Sequence, residues 1–276
     1  MSGFFWLASY PKSGNTWLRA LLKNYMLDDE TPVSINNLHT GFSTGDRAWL
    51  DACSGLDTLD LTDNELDRLR AKVYCWYAST CGDTDFHKTH EALETFGCVH
   101  SALDNPDLSG AVYIVRNPIA VAESLADFLD VSVDAAVDIM AKGSAAIRPA
   151  GAYYGPVRQR LSSWSRHVES WREARNIRVL FVRYEDLVEN PMETFSEIVR
   201  FTGLEHSTER VEKAVSFSRF DELQGQEENA GFVEMHSRRR FFRRGSGREK
   251  GPDMNPQIAD RIVSTHGAVM RTLGYL

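Results

Sequence analysis

With 276 residues and a formal net charge of −8 at pH 7, the chain is not a nucleic-acid binder by bulk electrostatics. Hydrophobic residues (42%) and charged residues (25%) stand in the proportions of a soluble protein with one large core or two modest ones, and no apolar run approaches the roughly 20 residues of a membrane span. The four cysteines, Cys53, Cys75, Cys81 and Cys98, are too sparse for a disulfide scaffold and lack CxxC spacing. No His pair completes a zinc pattern, so no metal is expected. The N-terminus runs directly into its first strand without a leader pattern, and the thiols read as reduced in a cytoplasmic protein.

Residues 4–8, FFWLA, form a continuous apolar run of the kind a strand buried on both faces shows. Residues 9–15 carry Pro, Lys, Ser, Gly and Asn, which is turn chemistry. Leu18, Leu21, Leu22 and Tyr25 then recur at helical spacing, with Asn15 or Thr16 expected to cap the start. A strand feeding a Gly-containing turn and a helix N-terminus is an anion site, because free N–H groups and the positive dipole end converge there. Lys12 adds a cation, and Ser13 and Thr16 add hydroxyls. Residues 28–61 read as loops and short helices over one end of the molecule. Thr62 and Glu65 fit a capping box, and Leu66, Leu69, Val73, Trp76 and Tyr77 continue a helical face.

The stretch DFHKTHEAL (85–93) reads as a very short strand ending near His90, and AVYIV (111–115) as a second buried strand followed by a helix through Phe128. Residues 134–141 read as helix, 143–155 as a mobile Gly-, Ala- and Pro-rich loop, and 160–175 as a helix with Leu161, Trp164, Val168 and Trp171 inward. A third buried strand is expected at 179–182, amphipathic helices at 192–202 and 209–216, a polar Arg-rich segment at 225–252, and a closing helix at 257–273. Apolar strands alternating with helices predict a single α/β domain over 1–276, with a central parallel sheet flanked by helices. In such sheets ligands sit at the carboxyl ends of the strands, and each polar motif here follows a strand: residues 10–17, 88–90, 116–124 and 184–186.

Several of these motifs carry a resemblance. YPKSGNTW (10–17) departs from the usual phosphate loop GxxxxGK[ST] and instead resembles the 5′-phosphosulfate loop of sulfotransferases that use 3′-phosphoadenosine 5′-phosphosulfate (PAPS). The family form is close to YPKSGTTW, and Asn15 is the one departure, expected to be mild because the backbone there matters more than the side chain. VYIVRNPIAVAESL (112–125) resembles the family's 3′-phosphate motif, with Arg116 and Ser124 at the family separation. KTH (88–90) resembles the motif whose His removes the acceptor proton. SSWSRHVESW (162–171) leading into VLFVRYEDLVENP (179–191), and FFRRGSG (241–247), resemble the family's later segments in the family's order.

The resemblance implies a P-loop-kinase-like fold and transfer of a sulfuryl group from PAPS to a hydroxyl of a small-molecule acceptor, leaving 3′,5′-adenosine bisphosphate. It suggests a bacterial small-molecule branch and a place in secondary metabolism. His90 would be the base, Lys12 would stabilise the leaving phosphate, and Lys88 would assist. Ser13, Gly14, Asn15 and Thr16 would hold the 5′ end of the nucleotide. Arg116, Ser124, Arg243, Arg244 and Gly245 would hold the 3′-phosphate. Trp17 would stack on the adenine, with Tyr184, Ser218 and Phe220 near it. His167, between two tryptophans, is expected to pack rather than to act as a second base. Glu91 stands where the family has Leu and is an alternative to His90. A small-metabolite kinase and a catalytically inactive nucleotide-binding module remain alternatives, and the acceptor and the oligomeric state are not legible.

Overall fold

The computed structural model describes residues 3–80, 82–93, 109–147, 157–234, 240–242 and 254–276. In chain order the elements are β1 (Phe4–Ser9), α1 (Asn15–Leu27), a 3₁₀ turn (Ile35–Asn37), α2 (Arg47–Ser54), α3 (Asp63–Thr80), β2 (Asp85–Thr89), β3 (Gly110–Val115), α4 (Pro118–Leu129) and α5 (Val133–Ala141). They continue with β4 (Ala146–Ile147), β5 (Gln159–Arg160), α6 (Trp164–Arg172), β6 (Val179–Arg183), α7 (Tyr184–Glu189), α8 (Pro191–Phe201), α9 (Thr208–Phe217), α10 (Phe220–Ala230) and α11 (Pro256–Thr272).

Four strands form one parallel sheet in the order β2-β1-β3-β6. All six residues of β1 and all six of β3 are buried, as their unbroken apolar runs predict for strands covered on both faces. Phe5 and Leu7 face α1, α8 and α9 through Leu18, Leu21, Phe195, Ile198 and Val211. Phe4, Trp6 and Ala8 face the other core, where Tyr113, Leu125, Trp164, Trp171 and Met270 pack. Ala8 pairs with Thr89 on one side and Tyr113 on the other, so three strands end level and deliver their following residues to one edge. The result is the α/β fold of a doubly covered parallel sheet that the sequence predicts.

The side-chain alternation of β2 decides which residues can meet. Phe86 belongs with the α1 face, and Lys88 continues that face. His87 and Thr89 point the opposite way: His87 stacks on Phe4 at 4.1 Å, and Thr89 shares a hydrogen bond with Thr44. Glu91 is buried, ion-paired with the buried Arg70 of α3, while its carbonyl accepts from the Trp171 indole at 2.9 Å. His90 and Glu91 follow the end of β2, and their side chains take different partners: the His90 ring meets Ser9, the Glu91 carboxylate meets Arg70.

Five expectations differ from the structure. Neither Asn15 nor Thr16 caps α1; Gly14 occupies the cap position without a side-chain hydrogen bond. The helix expected over 160–175 starts only at Trp164, because Ser163 accepts from the Arg166 N–H and fixes the start, while Gln159 and Arg160 pair with Ile147 and Ala146. The third strand, β6, is half-buried rather than buried, since among the described strands it pairs with β3 alone. Helix α10 falls inside a stretch read partly as polar loop, and Trp76 is 53% exposed because it stands about 100° round the helix from the inward Tyr77. The Thr62–Glu65 capping box is present in both directions, at 2.8 and 3.4 Å.

Beneath the sheet edge His167 is fully buried. Its Nδ1 accepts from the Tyr113 hydroxyl at 2.8 Å and its Nε2–H donates to the His90 carbonyl at 3.1 Å. Burial holds its pKa down to about 4, and burial does the same to His266. Both are neutral in the fold and titrate near 6.5 when unfolded. A depressed folded pKa gives stability that is complete above 6.5 and lost as pH falls toward 4. Chemical denaturation between pH 7 and about 5, above the carboxylate range, is expected to show stability falling with acidity by about 1 kcal/mol per pH unit for His167 alone. The His167→Gln protein is expected to be less stable at pH 7 and to have a shallower slope. A flat profile for the wild type would contradict this.

Candidate active site

The turn after β1 is where the chain spends conformational strain. Lys12 has φ 69° and Gly14 has φ 108°, both in the left-handed region, and only the second is glycine. A Cβ at position 14 would lie 2.5 Å from the Tyr184 ring, so glycine is required by backbone and by neighbour alike. With no side-chain cap on α1, the first-turn N–H groups and the helix dipole point into the cleft, the arrangement that binds an anion. Ser13 is fully buried, and its hydroxyl has no hydrogen-bond partner among the described residues.

Asn15 turns out to act through its side chain. It is buried, and its amide donates to the Leu7 carbonyl at 2.9 Å and to the Ser9 hydroxyl at 3.3 Å. Ser9 in turn meets His90: the ring Nδ1 lies 2.9 Å from the Ser9 carbonyl and 3.2 Å from its hydroxyl. A carbonyl can only accept, so Nδ1 carries the proton and Nε2 is the basic nitrogen. The His90 backbone N–H donates to Gln159 Oε1 at 3.1 Å, which fixes the residue from the other side. Burial and the adjacent Lys88 charge hold the His90 pKa down to about 3, keeping the ring neutral across the working pH range.

The Arg116 guanidinium lies 4.3 Å over the Tyr184 ring and donates through Nη1 to the Lys12 carbonyl at 3.4 Å. Its Nε is buried without a hydrogen-bond partner among the described residues. Tyr184 packs on Gly14 and lies edge-on to Trp17 at 5.7 Å. The Trp17 indole donates to the Ser218 carbonyl at 2.8 Å. Ser218 itself is fully buried, and its hydroxyl accepts from the Asn24 amide at 3.1 Å. Phe220 packs in the cluster that includes Trp17 and Phe242. Ser124 stands half-buried on α4, two turns beyond Arg116. Arg243, Arg244 and Gly245 lie outside the described residues.

Four residues that the sequence reading passed over complete the site. The Lys12 ammonium sits 3.8 Å from the Phe241 ring centroid and 4.9 Å from that of Phe128. Phe128 lies one helical turn after Ser124, a spacing that could have flagged it. Phe241 is placed by Glu227 of α10, whose carboxylate accepts from the backbone N–H of Phe241 at 2.6 Å and of Phe242 at 2.8 Å. Glu234 bridges Arg19 of α1 and Lys88 of β2. No local pattern marks either glutamate, since both act across long sequence separations.

Residues 4–274 match the model of the sulfotransferase domain. The chain is 26% identical to cytosolic sulfotransferase 14 of Arabidopsis thaliana, over 93% of this chain and 72% of that protein. It is also 26% identical to flavonol 3-sulfotransferase of Flaveria bidentis, over 93% and 77%. Among solved structures it resembles mouse sulfotransferase SULT7A1 complexed with PAP, with a TM-score of 0.59, 19% identity, and 98% and 85% of the two chains covered. Retinol dehydratase in complex with androsterone and PAP gives a TM-score of 0.57 and 19% identity over 95% and 80%. The strained turn, the neutral histidine on the same strand edge and a family match spanning nearly the whole chain lead to one conclusion: this chain belongs to the sulfotransferase domain family.

Proposed function

We propose that the protein transfers a sulfuryl group from PAPS to a hydroxyl of a small-molecule acceptor. The observation that carries the reading is the uncapped turn at Gly14, joined through Asn15 and Ser9 to a histidine held as a neutral base. The turn suits the 5′-phosphosulfate end of the donor: N–H groups, the orphaned Ser13 hydroxyl and Thr16 face an anion, with Lys12 and Lys88 near it. The stacked Arg116, with its unpartnered Nε, suits a second anion, the 3′-phosphate that sets PAPS apart from ordinary nucleotides, with Ser124 beside it. Trp17 and Tyr184 offer faces for the adenine. Arg243, Arg244 and Gly245 are assigned to the 3′-phosphate on motif similarity alone.

In the reaction the acceptor oxygen forms a bond to sulfur as the bond from sulfur to the bridging phosphate oxygen breaks. His90 Nε2 takes the hydroxyl proton, and Lys12 meets the charge that develops on the leaving phosphate. Lys12 must leave the Phe128 and Phe241 rings to do so. A sulfuryl group beside Lys88 offsets the charge that depresses His90, so the histidine becomes a stronger base when the donor is in place. Glu91 is unsuited to the proton transfer, being buried and committed to Arg70. Flavonols, androsterone and retinol in the relatives' names support a small hydroxyl compound as acceptor. The cytosolic naming of the plant relatives, with no described helix long and apolar enough to cross a membrane, supports a cytoplasmic site of action.

Calorimetry is expected to show tighter binding of 3′,5′-adenosine bisphosphate than of AMP or ATP. Arg116→Ala should remove about 1.5–3 kcal/mol of that preference, the contribution of a charge-assisted hydrogen bond. Equal affinities in the wild type would contradict the donor assignment.

For the base, His90→Asn is expected to keep nucleotide affinity and lower turnover by roughly 10²–10⁴-fold. Glu91→Gln should instead reduce thermal stability, because it leaves buried Arg70 without its counter-charge. Near-normal turnover in the His90 variant, with loss in a folded Glu91 variant, would reassign the proton transfer.

A further inference from the structure

Lys88 does not stand alone at the end of β2. Its ammonium donates to Glu234 Oε2 at 3.1 Å, and the same carboxylate takes a two-pronged contact from the Arg19 guanidinium at 2.7 and 2.8 Å. Arg19 is 3% exposed and also donates to the Thr16 hydroxyl at 3.3 Å, so it touches the anion turn directly. Glu234 is held in place by its own segment. Phe232 is buried among Ile35, Leu38 and Phe242, the Val233 N–H donates to Asn36 Oδ1 at 2.9 Å, and the Asn36 amide donates to the Gly231 carbonyl at 3.1 Å.

From this geometry we propose that Glu234 is a positioning residue for the transfer reaction: it holds Lys88 charged and aimed at the sulfuryl site while neutralising Arg19 beneath it. The proposal rests on the Lys88 assignment made above. Its physical basis is a clash of like charges. Two cations from different elements, α1 and β2, are brought within reach of one carboxylate, and without that carboxylate the more easily neutralised one would lose its proton. Arginine holds its charge under all ordinary conditions, so the loss falls on lysine. Among the described residues, the charged and titratable groups facing Lys88 are Arg19 from α1, Glu234 from the 231–234 segment and His90 just after its own strand. Burial and Arg19 already lower the Lys88 pKa, with Glu234 opposing them, and the two cations pull the Glu234 pKa down to about 2 against the effect of its own burial. Glu234 uses one of the three ammonium protons, leaving two for sulfuryl oxygens.

The direct test is lysine-side-chain NMR on donor-free protein carrying isotope-labelled lysine, titrated from neutral to alkaline pH. In Glu234→Gln, an isosteric change, the Lys88 ammonium is expected to titrate about one pH unit or more below its wild-type midpoint, and Glu234→Ala should move it the same way. Turnover of Glu234→Gln with PAPS should fall on the alkaline side at the shifted midpoint with KM for the donor changing less than kcat. Placing Arg at position 88 in the same protein (K88R with E234Q) should abolish that alkaline fall. An unmoved Lys88 midpoint in both folded variants overturns the proposal. A moved midpoint with an unmoved turnover profile upholds the coupling and overturns the catalytic assignment of Lys88.

Discussion

The structure depends on one turn in which the chain leaves its own hydrogen-bonding capacity unused. Helix α1 begins after a glycine at φ 108° and with no side chain over its first N–H groups. Most other helix starts among the described residues are closed by a Ser, Thr, Asn or Asp side chain, or led by Pro, as Ser163 on α6 and Asn117 on α4 show; α7 and α10 also lack a side-chain cap, but α1 is the one that follows a left-handed glycine. The exception is affordable because β1 before it is buried from end to end and Tyr184 lies against Gly14 after it. Packing over-determines the turn, and an anion is left to complete it.

Around this turn positive charge collects in a chain whose net charge is −8. Lys12, Arg19, Lys88 and Arg116 converge from a loop, a helix and two strand ends. Three arrangements balance these four cations. Lys12 lies against two phenylalanine rings, Arg19 and Lys88 share Glu234, and Arg116 lies over Tyr184. The neutral His90 at the rim belongs to the same field, since Lys88 is among the causes of its depressed pKa.

Much of this was legible from local pattern. The burial of β1 and β3 follows from their apolar runs, and the strand-to-turn-to-helix order at residues 4–22 placed the anion turn without any partner in view. What the sequence concealed is long-range or concerns side-chain direction. Asn15 looked replaceable because its neighbours suggested a backbone role, yet its amide ties Leu7 and Ser9 to His90. Ser218 matched a position near the adenine, and the contacts it makes, its hydroxyl accepting from Asn24 and its carbonyl from Trp17, had no local signal. Glu227 and Glu234 sat in a segment read for its arginines, and their partners are more than ten residues away or on distant helices. Glu91 stood as an alternative base because it takes the place of the family's Leu, and its carboxylate is ion-paired with the buried Arg70.

The central claim is sulfuryl transfer from PAPS at the edge shared by β1 and β2. The most direct measurement incubates the wild-type protein with radiosulfur-labelled PAPS and a panel of phenols and alcohols, alongside a parallel incubation with ATP labelled in its terminal phosphate and magnesium. The account predicts labelled sulfate esters, formed together with an equal amount of 3′,5′-adenosine bisphosphate, and no transfer of phosphate. Transfer of the ATP phosphate to an acceptor, with no sulfate ester from any member of the panel, would contradict it.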